Sequence, residues 1–263
     1  MLKISSVILI PLILWFIVNF ISIYDSNYSD IVIFFSKTSS KILFSLFIIT
    51  AFFFFSLTIS EIFEDYINDV EQWVSLLKND SRFSSIIILG HSEGSLIGMI
   101  AAQEALPEKF ISLAGPGVSM QATLRRQLAD QPPYILSMSL PIIEELEKGK
   151  IVDSVPPLIN ALFRPSIQPY LISCFKYDPA IEISKVKCPV LIVQGTTDIQ
   201  IQVEDAKKLA GSNSNSELVI IEGMNHILKE ADANRFLNLR TYGDPNLELK
   251  QGLIESITSF IVD

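Results

Sequence analysis

Gly90-His91-Ser92-Glu93-Gly94 sets a serine between two glycines, after the apolar run Ile86-Ile87-Ile88-Leu89 and before the helix-like stretch Ser95 to Ala102. In a strand, turn and helix setting, the Gly-x-Ser-x-Gly spacing is a nucleophile elbow, a sharp turn that lifts a serine hydroxyl clear of a sheet. The spacing alone is weak, because at about 7% glycine it arises by chance in roughly one chain in ten of this length. The buried strand before it and the helix after it carry the weight. The glycines are expected because flanking side chains would collide with the neighbouring strand and helix.

A serine hydroxyl near neutral pH needs a base to take its proton, and histidine suits that work because its pKa lies near the operating pH. The chain has only two histidines. His91 lies inside the elbow, where its side chain is expected to point away from the site. That leaves His226, in the loop after the apolar run Leu218-Val219-Ile220-Ile221. An acid must then orient the imidazole. Asp198 stands just beyond the apolar strand Val190 to Gln194, at the carboxyl end of the sheet, where such sites form. Asp205, on the following helix, ranks next. The chain order serine, aspartate, histidine separates this arrangement from other serine hydrolase classes.

The elements that must hold these residues read as alternating strands and helices, which argues for an α/β fold with a mostly parallel sheet covered on both faces. Ile62 to Leu77 repeats apolar residues at helical spacing. Phe110 to Ala114, Cys188 to Gly195 and Leu218 to Ile221 read as further strands, Val203 to Ala210 as a helix, and Leu249 to Ile261 as the terminal helix. Residues 118 to about 180 show no strand pattern and are broken by Pro132-Pro133, Pro156-Pro157 and Pro165, as expected of a helical cap over the site. Within it, Leu162, Phe163, Tyr170, Leu171 and Phe175 suggest a hydrophobic pocket or ordinary cap packing.

Residues 1–60 differ from the rest. They hold 10 of the 17 phenylalanines, five charged residues and no glycine, the first glycine being Gly90. Residues 4–23 and 42–59 are uncharged, so each is a transmembrane candidate by length and polarity. The segment 1–60 is read as a membrane anchor, as apolar strands replacing part of the sheet, or as the translation of a disrupted reading frame. The domain proper is expected over 61–263. The first reading makes the protein membrane-associated, and the others leave it cytoplasmic. A net charge of −9 excludes nucleic-acid binding as the main role. Cys174 and Cys188 show no disulfide or metal spacing.

From about Glu61 onward the chain resembles an α/β-hydrolase. Its Gly-His-Ser-Glu-Gly-Ser-Leu-Ile-Gly run is similar to bacterial carboxylesterases related to the serine aminopeptidase-like hydrolases, and Gln194 to Asp198 and Gly223 to His226 resemble the acid and base loops. The resemblance implies Ser92 as nucleophile, Asp198 as acid, His226 as base and the Glu93 backbone N–H as an oxyanion donor. It also implies a small-molecule ester substrate and no metal or cofactor. Peptidase, thioesterase and lipase chemistry use the same triad. The family's second oxyanion donor comes from a glycine-bearing loop ahead of the elbow, and here no glycine precedes Gly90. The N-terminal part of the sheet is therefore expected to be missing or replaced. A pseudohydrolase or membrane-attached binding protein is the alternative.

Overall fold

A computed structural model describes every residue except Met1, Asp25, Glu61 and Asp263, and the side chains of residues 2–6 and 52–60 also lie outside what it describes. The chain divides into two compact units, Met1–Ile62 and Phe63–Asp263.

The first unit is helical: α1 (Leu2–Ile23), α2 (Tyr28–Ser36) and α3 (Thr38–Ser60). Phe16 of α1 stacks on Phe47 of α3 at 5.0 Å between ring centres, and Phe44 lies against the same ring. The reading of this segment as replacement strands is thus overturned. A uniformly apolar stretch has no period of two to favour a strand, and a helix satisfies its own backbone within the segment. Among the described residues no single helix is long and apolar enough to cross a membrane, whereas the bent pair Tyr28–Ser36 and Thr38–Ala51, at 84°, passes that test together. The side chains of 4–6 and 52–59, within the two candidate spans, lie outside the described residues.

The second unit begins at Phe63 within α4 (Ile62–Lys78), whose Phe63, Ile67 and Val74 are buried on one face. Then come β1 (Ile87–His91), α5 (Glu93–Ala105) and β2 (Lys109–Leu113). Between β2 and the next strand lies a helical insertion: α6 (Met120–Ala129), α7 (Pro133–Glu147), α8 (Asn160–Phe163), α9 (Gln168–Cys174) and α10 (Pro179–Ser184). The chain closes with β3 (Val190–Gly195), α11 (Val203–Ser212), β4 (Ser216–Ile221), α12 (Arg235–Thr241) and α13 (Leu253–Val262).

The four strands form one parallel sheet in the order β1-β2-β3-β4. Strand geometry sends alternate residues to opposite faces. Phe110, Val190 and Ile192 accordingly pack with Phe63, Leu96 and Met99 under the helices of one face. Ile111, Leu113, Leu191 and Val193 pack with Met224 and Leu253 on the other. Helices therefore cover both faces, as a parallel sheet requires. Among the described residues β1 is an edge strand, with Leu89 about half exposed, so the strands that usually precede the elbow strand are not supplied here. The terminal helix begins at Leu253; Leu249, expected inside it, instead bridges Lys229.

Candidate active site

β1 delivers the chain to Ser92 at the end of the sheet, and the Ser92 N–H donates to the Leu113 carbonyl of β2 at 2.9 Å. Ser92 has φ 56° and ψ −122°, a conformation that costs an ordinary side chain energy and survives only where surrounding structure enforces it. A Cβ at Gly90 would lie 2.2 Å from the Gly94 carbonyl oxygen, so position 90 admits only glycine. Gly94 differs from expectation: a Cβ there meets nothing within 4 Å, because no strand pairs with the outer side of β1 among the described residues.

His226 follows β4, and its Nε2 lies 3.0 Å from Ser92 Oγ. Its Nδ1 lies 2.8 Å from Asp198 Oδ2. A carboxylate only accepts, so Nδ1 carries the proton and Nε2 offers its lone pair to the serine hydroxyl. Asp198 is held on all sides. Its Oδ1 accepts from the backbone N–H of Gln200 at 2.8 Å and of Ile201 at 3.0 Å, and Gln194 Nε2 donates to Oδ2 at 3.1 Å. Both side chains are almost wholly buried, at 6% exposure for His226 and 0% for Asp198, where hydrogen bonds meet little competition from water. Asp205 lies elsewhere: it accepts from the Gly117 N–H at 3.0 Å and pairs with Arg126 at 2.7 Å, tying α6 to α11.

No family model matches the chain. Over 177 residues it is 24% identical to Esterase EstD of Thermotoga maritima, a match covering 63% of this chain and 40% of that esterase. The chain thus spans well under two thirds of that relative's length. With a parallel sheet, a strained serine after one strand, and an aspartate and a histidine after two later ones, the class is settled. This is an α/β-hydrolase fold. Among solved structures it is similar to Est1E from Butyrivibrio proteoclasticus, at 20% identity and TM-score 0.44, over 73% of this chain and 69% of that one. It is also similar to a bromoperoxidase from Bacillus anthracis, at 15% identity and TM-score 0.43, over 76% and 74%.

Several further side chains hold the site. His91 does not point away: its Nε2–H donates to the His226 carbonyl at 2.8 Å, and the two rings lie 5.0 Å apart. Burial, above all, pushes the His91 pKa below its usual value. Folding therefore favours neutral His91, so the stability it contributes is complete above about pH 6.5, the ordinary histidine value. It is lost as pH falls through the lower folded value. Thermal unfolding of wild type and His91→Gln between pH 8 and 5 will show an acid loss of melting temperature that is smaller in the variant.

A buried amide cluster joins the two loops. Asn225 donates to Asn238 Oδ1 and Thr241 Oγ1, and Asn238 donates to the Thr197 carbonyl. The short helix α12 thereby braces the residues next to both His226 and Asp198.

A cavity of about 160 Å³ borders Ser92 and Glu93, with Leu96, Pro116, Met120 and Leu124 among its walls. None of Leu162, Phe163, Tyr170, Leu171 or Phe175 lines it. Phe163 and Leu171 are buried in the core of the helical insertion, and Leu162, Tyr170 and Phe175 pack against that core. The Tyr170 hydroxyl donates to Glu93 Oε1, linking α9 to the first turn of α5, and burial raises the Tyr170 pKa. Both cysteines are free. Burial pushes the Cys174 thiol up to about 12, which leaves it protonated and unreactive at neutral pH. Among the described residues no group of three side chains could hold a metal ion.

Proposed function

We propose that the protein hydrolyses carboxylic esters through an acyl-enzyme. His226 Nε2 takes the proton of Ser92 as the hydroxyl oxygen attacks the ester carbonyl. The Glu93 backbone N–H, at the start of α5, stabilises the oxyanion. Protonated His226 returns the proton to the departing alcohol, and Asp198 holds the imidazolium in register. A water deprotonated by His226 then releases the acid and restores Ser92. The observation that carries this reading is the unbroken line from Ser92 Oγ through His226 to Asp198, set on a strained elbow. The esterase match in Thermotoga maritima adds support for ester chemistry.

A fluorophosphonate probe is expected to label the wild-type chain at Ser92 and to leave Ser92→Ala unlabelled. A folded wild type that stays unlabelled ends the proposal. His91 supports the base through its hydrogen bond to the His226 carbonyl. His91→Ala is expected to lower kcat by about 10- to 100-fold through misplacement of the base, and His91→Gln, whose amide reaches the same carbonyl, is expected to recover most of it.

One observation favours a second reading, the impaired pseudohydrolase. β1 is the sheet edge among the described residues, so no preceding strand hands a second backbone N–H to the oxyanion. A missing donor typically costs about 100- to 1000-fold in turnover. Labelling at Ser92 with ester turnover reduced by that factor, relative to a complete esterase, selects this reading.

A further inference from the structure

Two chambers meet at one pair of glutamines. The inner chamber, of about 160 Å³, borders Ser92, and most of its wall surface is apolar although Thr123, Gln127 and Gln200 also line it. The outer one, of about 350 Å³, reaches Leu128, Leu162, Ile199, Leu239 and Tyr242 but not Ser92. Leu124, Gln127 and Gln200 line both. At their junction Gln127 Nε2 donates to the Gln200 carbonyl at 3.2 Å. This bond fastens α6 of the insertion to the turn that follows β3.

On the ester-hydrolase reading, the acyl group stays on Ser92 through the covalent intermediate while the alcohol must leave. The partly open, mostly apolar chamber beside the serine suits the group that stays. An apolar cavity near 150 Å³ accepts a benzene-sized guest, so this chamber takes an acyl chain of about six carbons and no more. We infer that the Gln127–Gln200 pair is the end wall of the acyl pocket, restricting the substrate to short-chain or single-ring acyl esters and closing off a second chamber that longer chains would need. Removing the Gln127 side chain joins the two spaces without touching Ser92, Asp198 or His226.

The test is a series of p-nitrophenyl esters from acetate to laurate with wild type, Gln127→Ala and Leu124→Trp. Wild type is expected to show its highest kcat/KM at butyrate or hexanoate and a value at least about 10-fold lower at decanoate. Gln127→Ala should raise the decanoate-to-butyrate ratio by about 10-fold or more, and Leu124→Trp, which fills the inner chamber, should move the optimum to acetate. Decanoate turned over as well as butyrate by wild type overturns the wall, as does an unchanged ratio in a Gln127→Ala protein that still takes the fluorophosphonate label. A wild type that takes no label removes the ester-hydrolase reading itself, and the wall with it.

Discussion

Replacing Ser92 and His226 together is expected to lower kcat no further than replacing either alone. Each single alanine variant should lose about 10⁴- to 10⁶-fold. On the proposed mechanism the hydroxyl is activated only through the 3.0 Å contact with His226 Nε2, a nitrogen with no other hydrogen-bond partner among the described residues. Either deletion removes the same proton transfer. Asp198→Asn tests the third member differently. The Gln200 and Ile201 N–H groups now bind Asp198 Oδ1, so an asparagine will place its carbonyl oxygen there and turn its amide N–H toward His226. Nδ1 must then accept, the proton moves to Nε2, and the base is lost, for a cost of about 10⁴-fold. Single-turnover release of p-nitrophenol measures all four proteins, with circular dichroism to verify folding. Losses that multiply in the double variant would show that Ser92 and His226 act independently and would sink the triad.

The residues of that line were readable because each stands where an apolar run stops. Ser92 follows Ile86 to Leu89, Asp198 follows Val190 to Gln194, and His226 follows Leu218 to Ile221. Parallel strands buried on both faces announce themselves as short apolar runs, and their carboxyl ends are where chemistry collects. With two histidines in the chain, the candidates for a base are few. What braces the line was not readable. Asn225, Asn238 and Gln194 are amides without a diagnostic spacing, and they meet only in the folded loops. The helix α12 buries Asn238 and leaves Phe236, Leu237 and Leu239 exposed, so its apolar residues do not mark the face it buries. The contact of His91 with the His226 carbonyl is not legible either, because a place inside the elbow does not say which loop a side chain meets.

The pocket shows the same limit. Phe163, Leu171 and Leu124 are buried in the core of the insertion and Met120 packs against it, yet only Met120 and Leu124 also line the serine cavity. Composition identifies material for a core, and only packing between helices decides which face turns to the nucleophile. Residues 1–60 carried an apolar signal without a period, which could not separate helices from strands.

Gly195→Ala is expected to cost the fold and the site together. Gly195 ends β3, three residues before Asp198, and a Cβ there would lie 1.9 Å from the Met224 carbonyl oxygen and 2.5 Å from its carbon. Neither atom is the end of a flexible side chain. The Met224 carbonyl also accepts the Thr197 N–H at 3.1 Å, and the Met224 side chain is fully buried. The acid and base loops must therefore part by about 1 Å or more to admit one methyl group, at a cost of about 3 kcal/mol. For a unit of this size that lowers the melting temperature by about 6 to 12 °C. Because the displaced segment lies two residues from His226, kcat/KM should also fall by about 100-fold at temperatures where the variant is still folded. Gly211→Ala is the control. It sits in α11 with nothing within 4 Å of an added Cβ, so it should stabilise by about 0.5 to 1 kcal/mol and leave ester turnover alone. If Gly195→Ala unfolds at the wild-type temperature, the close crossing of the two loops is not what fixes Asp198 against His226.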